Sequence, residues 1–313
     1  MKKLNFLLLF SVFLVFQPAI AMESMQIKVS EKEKAAYLQN VQATLILSEN
    51  LSELSAEGEQ QEDLESAPSS PPLTTDDTGT PGPNGVEINL LMDCDRSKAA
   101  KGCERLVDAN YGIGDKIQIK IERDYGVERN EDGVVTRGLG PTEFGVKYRF
   151  YDKNGLSAAI YPQITIDNSK KHSSDPSAEI EREGNTVYIP VIISKELGKY
   201  TVVTNTGYRH SYKSSEDDAI IAGVAIARAL DERSRIMGEI YSERDRNLHN
   251  RRTDVRVGYV RIVSPKSSKY EISAFVSAGH SLGQTEDGFG HTTLQFGLSL
   301  VRKPKSQSVQ SVK

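Results

Sequence analysis

Residues 142–150 read TEFGVKYRF, and this stretch decides the fold. Phe144, Val146, Tyr148 and Phe150 alternate with Glu143, Gly145, Lys147 and Arg149. A helix would scatter these two sets around its axis. A strand separates them, because successive side chains point to opposite faces. The same period of two recurs in KIQIKIE, where Ile117, Ile119 and Ile121 oppose Gln118, Lys120 and Glu122. RTDVRVGY sets Val255, Val257 and Tyr259 against Asp254, Arg256 and Gly258. TLQFGLSLV sets Leu294, Phe296, Leu298 and Leu300 against Gln295, Gly297 and Ser299.

Working outward, twelve segments of this kind fall at 85–94, 104–112, 115–125, 141–151, 156–167, 186–196, 199–211, 219–230, 235–244, 252–263, 269–280 and 291–302. Their lengths centre on the ~9–11 residues that a tilted strand needs to cross a bilayer. Short turns near 112–115, 152–155, 196–198, 231–234 and 265–268 alternate with long polar connections near 95–103, 126–140, 168–185, 212–218, 245–251 and 281–290. A soluble sandwich has no reason to sort its loops this way. A Gram-negative outer-membrane barrel does, with short periplasmic turns and long outer loops. The expected fold is therefore all-β: a closed, antiparallel, up-and-down transmembrane barrel of about twelve strands over residues 85–303. An even count leaves both barrel ends on the periplasmic side.

Composition agrees. The chain has 313 residues, a formal net charge of -4, two Cys and no Trp. Its mean hydropathy of -0.43 excludes a multi-pass helical membrane protein and leaves a barrel open. Nucleic-acid binders carry a basic excess, which is absent.

Residues 1–21, MKKLNFLLLFSVFLVFQPAIA, carry two Lys, an apolar run and a small-x-small end, the grammar of a cleaved secretory signal peptide. Residues 22–84 hold twelve acidic residues against three basic ones, whereas 85–313 hold 31 against 34. Ser30 and Glu33 form a capping-box pattern, and Leu38, Val41, Leu45, Leu51 and Leu54 follow at helical spacing. A short helix over 31–55 is expected within a periplasmic segment 22–55. It is either a bystander, a pore plug or an oligomer seam. Residues 56–84 contain five of the chain's twelve prolines and no apolar period, the composition of a disordered linker. Residues 304–313 are a polar tail. In an oxidising compartment Cys94 and Cys103 predict one disulfide. Two thiols without a nearby His make an incomplete zinc set, and no metal or other cofactor is expected.

If the apolar face meets lipid, the lumen collects Glu87, Lys120, Glu122, Glu143, Lys147, Arg149, Arg209, Glu239, Asp254, Arg256 and Glu271. In lipid each would cost several kcal/mol, roughly 2–4 for a cation at the midplane. They either line a wet channel or brace the barrel by pairing across it. Catalysis finds no support. His172, Ser173 and Ser174 fall in a hydrophilic loop, and the pairs His210-Ser211 and His280-Ser281 point to opposite faces. The chain is expected not to be an enzyme.

The strands resemble an outer-membrane barrel family named for the MetA pathway of phenol degradation, often labelled simply "transporter". LVDANYGIGDKIQIKIERDYGV, GLGPTEFGVKYRFYDKNGLSAAIYPQITI, TVVTNTGYRH, ALDERSRIMGEIYSE and HTTLQFGLSLV carry the resemblance over about residues 86–302. GLG-x-x-E-x-G-x-K-Y-R is the most specific part. The resemblance implies a passive channel for small solutes, aromatic or hydrophobic ones included, inserted by the barrel-assembly machinery into outer-membrane lipid. It implies no catalytic residues, and Gly145, Lys147 and Arg149 are the first lumen positions to inherit a role. The alternative is a non-transporting surface or structural barrel with adhesive or antigenic loops. Two departures stand out: the chain does not end on an aromatic residue, and its aromatic girdle must rest on Tyr and Phe. Tyr148, Tyr161, Tyr208 and Tyr259 are the expected girdle members.

Overall fold

The computed structural model describes residues 72–178, 180, 182, 184–213, 218–245, 251–282 and 290–302. The expected leader, the helix over 31–55 and the polar tail lie outside the described residues. The strands are β1 (Val86–Arg96), β2 (Ala100–Ile113), β3 (Ile117–Asn130), β4 (Val135–Lys153), β5 (Leu156–Ile160), β6 (Gln163–Ile166), β7 (Lys170–Ser173), β8 (Thr186–Leu197), β9 (Tyr200–Ser211), β10 (Ala219–Asp231), β11 (Ser234–Asp245), β12 (Arg251–Ile262), β13 (Tyr270–Ser281) and β14 (Thr292–Arg302). β5, β6 and β7 follow one another along β4 as sections of one stave, so the wall has twelve staves. All pairings are antiparallel between sequence neighbours, and β1 pairs with β14, Glu87 opposite Val301, to close the barrel. Closure removes the free edge, which is the condition for a sheet to cross lipid.

The break after β5 has a covalent cause. Pro162 has no N–H to give the ladder. The wall stays stitched there because Tyr161 N donates to Pro190 O and Val146 N donates to Pro162 O, both at 3.0 Å.

Two connections differ from expectation. Segments 95–103 and 126–140 are not long loops but continue the ladders, with Arg96 opposite Lys101 and Arg129 opposite Val135. Only residues 97–99 and 131–134 remain as turns. These hairpins run beyond the apolar band, where both faces meet water and the alternation that marks a strand lapses. Cys94 and Cys103 face each other in the first hairpin, joined by a disulfide with Cα atoms 4.0 Å apart.

The outward face is the apolar one. Val107, Ile119, Val146, Ile164, Val224, Val257 and Leu298 are 43–60% exposed, and they recur around the whole barrel. A continuous belt of that kind is untenable in water and suits hydrocarbon. Tyr148 and Tyr208 belong to this exposed face. Tyr161 does not: it is 1% exposed and points inward, on the same parity as Ala159 and Gln163. It packs with Ala159, Ile192, Val203 and Ala225 into a small apolar patch on the inner wall.

Candidate functional site: a polar chamber above a lumen-crossing segment

The composition of residues 56–84 predicts a disordered linker. Its last thirteen residues, 72–84, instead lie inside the barrel and touch several staves. Pro72 O accepts from Ser277 Oγ at 3.0 Å on β13, while the Pro72 ring fills the space left by Gly258 on β12. Leu73 packs onto the inner apolar patch. The amides of Thr74 and Thr75 donate to Glu239 on β11, at 2.9 Å to Oε1 and 2.8 Å to Oε2. Thr75 sits over Gly223 of β10. Lower down, Lys147 Nζ on β4 donates to Gly79 O at 3.3 Å and lies 3.8 Å from Asp77 Oδ1. Thr78 meets Ser157 on β5, and Thr80 donates to Asp115 O in the β2–β3 turn at 3.1 Å. The segment thus descends from mid-barrel at Pro72 to the short-turn rim, where Asn84 N donates to Gly112 O and leads into β1.

Glycines make this approach possible. A Cβ on Gly223 would stand 2.6 Å from Thr75 Oγ1, and one on Gly258 2.8 Å from Pro72 Cγ. Gly145, from the most specific motif, serves the wall itself. A Cβ there would lie 2.8 Å from the Tyr161 ring, over which Lys147 Nζ sits at 4.8 Å from the centroid.

Above the crossing segment lies a chamber of about 780 Å³, floored by Leu73, Thr74 and Asp76. Of the eleven expected lumen residues, Glu87, Lys120, Glu122, Glu143, Lys147, Arg209 and Arg256 line it. Glu239 is buried beneath the crossing segment, as its bonds to Thr74 and Thr75 require. Arg149 lies nearer the short-turn rim, donating to Asp115 O at 2.7 Å and pairing with Asp152 at 3.3 Å. Asp254 pairs with Arg252 at 2.8 Å and accepts from Ser281 Oγ at 2.7 Å. Glu271 shares the inward parity of Ser273 and Phe275 one turn from the β12–β13 connection.

Each lining cation has a carboxylate partner. Lys120 lies 2.7 Å from Glu122 and 2.9 Å from Glu143. Arg256 stands 3.7 Å from Asp93 and 3.8 Å from Glu239. Arg209 pairs with Glu243. A second network occupies β1–β3: Asn89 Nδ2 donates to Glu87 and Asp108, both at 2.9 Å. Asn110 Nδ2 donates to Asp108 at 3.0 Å, and Asn110 Oδ1 accepts from Gln118 Nε2 at 2.6 Å. Sequence reading missed Asp93, Asp108, Asn110 and Tyr161. Parity was the signal available, since LVDANYG puts Leu106, Asp108 and Asn110 on one face. Among the described residues no group of three or more His, Cys, Asp or Glu is arranged to hold a metal ion.

No protein-family model matches the chain, and no curated protein matches its sequence. Solved structures do match its shape. The fold is similar to that of the COG4313 outer membrane channel from Pseudomonas putida F1, with a TM-score of 0.56 at 12% identity over 78% of this chain and 99% of that one. The fold is that of an outer-membrane β-barrel. It is similar also to NanC porin, with a TM-score of 0.51 at 9% identity, over 68% and 98% of the two chains. Neither neighbour's name carries the phenol-degradation label that the sequence resemblance suggests.

Proposed function

We propose that the protein is a passive outer-membrane channel for small polar solutes, with residues 72–84 as its constriction. One observation carries this reading: the interior charges do not fill the barrel but surround about 780 Å³ of polar-walled space above the crossing segment. That volume lies within the range of small-molecule sites, roughly 300–1,000 Å³. A barrel braced only by its own ion pairs would have no use for such a space. The likeness to a channel and a porin supports the reading at the level of the fold. The lining of carboxylates, amides and cations favours polar over aromatic or hydrophobic solutes, because an apolar guest would leave those groups without partners.

On this reading the leader is cleaved, the barrel-assembly machinery inserts the strands, the short turns and both termini face the periplasm, and the long connections face outward. The test is planar-bilayer conductance of the full chain beside a chain lacking residues 22–80. A small conductance that grows on deletion is expected. Zero conductance from both folded proteins would sink the channel.

A further inference from the structure

We infer that the chamber is a binding compartment for donor-rich organic cations, of which linear polyamines are the simplest class. The inference names a solute class for the proposed channel and rests on that reading for how the solute arrives. Two independent observations carry it.

The first is charge. Among the described residues, eight carboxylates and four cationic side chains line the chamber, a formal excess of four negative charges. The cations are already engaged: Lys120 by Glu122 and Glu143, Lys147 by Asp77, Arg209 by Glu243, and Arg256 by Asp93 and Glu239. An entering anion would have to displace a carboxylate to reach any of them. An entering cation is drawn by the net negative field of that lining. Low-dielectric walls strengthen that preference.

The second is the direction of the amide relay. A carboxylate can only accept hydrogen bonds. Asp108 therefore fixes Asn110 with its NH₂ group toward the carboxylate, and Asn110 Oδ1 in turn takes the NH₂ of Gln118. The relay ends on Gln118 Oε1, a buried acceptor with no partner among the described residues, on a residue that lines the chamber. Gln295 repeats the arrangement: its Nε2 donates to Asp93 Oδ2 at 3.3 Å, and its Oε1 is left without a partner. Asn205 Oδ1 is a third such acceptor on the lining. All three residues are at least nine-tenths buried. Buried acceptors without donors cost free energy, and a guest whose polar groups are all N–H donors satisfies them once these amide oxygens turn to the chamber surface. An ammonium-bearing chain offers the donors and the charge together, whereas an acidic or neutral sugar offers at most one of these.

The test is titration calorimetry of spermidine into the folded full chain in detergent, with citrate as the anionic counterpart. Saturable, salt-sensitive spermidine binding is expected, weakened at least tenfold by Asp108→Asn and severalfold by Gln118→Leu. Gel mobility of boiled against unboiled samples certifies that each variant is folded, and Gln295→Leu serves if Gln118→Leu is not. Spermidine held by the acidic residues 22–71 would be insensitive to these substitutions, so unchanged affinity in the folded variants overturns the inference. No saturable binding, or equal affinity for citrate, overturns it as well. Binding without bilayer conductance would sink the channel and leave the cation site standing. Conductance without binding would do the reverse.

Discussion

Glu239 holds the backbone of Thr75, its Oε2 accepting the Thr75 amide at 2.8 Å while Oε1 takes that of Thr74 at 2.9 Å. Only a carboxylate can receive two neighbouring N–H groups in this way. In Glu239→Gln one oxygen becomes an NH₂ facing another donor. Each lost bond to a charged acceptor is worth roughly 1.5–3 kcal/mol. The population with residues 72–84 displaced should therefore rise at least tenfold. Single-channel recordings of Glu239→Gln are expected to contain larger or more frequent openings than the unsubstituted protein. Identical traces would mean that the segment does not limit passage.

Lys147 is nearly buried and serves three partners at once: Asp77, the carbonyl of Gly79 and the face of Tyr161. Removing the cation alone leaves a buried carboxylate uncompensated, a loss of about 3–5 kcal/mol. Lys147→Met should therefore lower the temperature at which the barrel loses its unboiled gel mobility. Adding Asp77→Asn should recover most of that loss, because it removes the stranded charge. Additive losses in the double variant would argue that the pair is not coupled.

What the sequence makes legible follows from where each signal originates. Strands such as TEFGVKYRF are legible because lipid on one side and polar lumen on the other impose the period locally. Tyr161 was misread by residue type, as a girdle aromatic, although the parity of Ile164 and Ile166 across Pro162 already turned it inward. The hairpin tips at 95–103 and 126–140 lose the period once both faces meet water. Residues 72–84 carry no local signal at all. Their conformation is set by Ser277, Glu239 and Lys147, which stand 205, 165 and 68 positions away along the chain. Composition registers only the prolines and the charge.

Gly223 offers a steric counterpart to the Glu239 experiment. A Cβ there would come within 2.6 Å of Thr75 Oγ1 but 3.6 Å from Thr75 Cβ. Gly223→Ala should therefore push the crossing segment from the wall and raise conductance. Thr75→Ala removes the offending oxygen and should restore the original level in the double variant. The hydroxyl is buried without a hydrogen-bond partner, so Thr75→Ala alone should cost little. Failure of the second substitution to compensate would mean that the contact is not the one that limits the pore.

Beyond the long-loop rim, Asp218 gathers the end of β9. It accepts from the Tyr208 hydroxyl, from His210 Nδ1 at 2.7 Å and from the amide of Ser211 at 3.2 Å. The Tyr208 hydroxyl, with His210 adding to it, holds the Asp218 carboxyl below the usual carboxylate range. A depressed carboxylate contributes stability that is complete above its unfolded value, about 3.9, and is lost as pH falls through the lower folded value. Asp218→Asn cannot ionise and forgoes that contribution at every pH. The unfolding temperatures of the two proteins should therefore differ at pH 5 and above and converge as the pH falls through the carboxyl's lower folded value. A difference that persists unchanged into strong acid would assign the effect of the substitution to packing, not to the carboxylate.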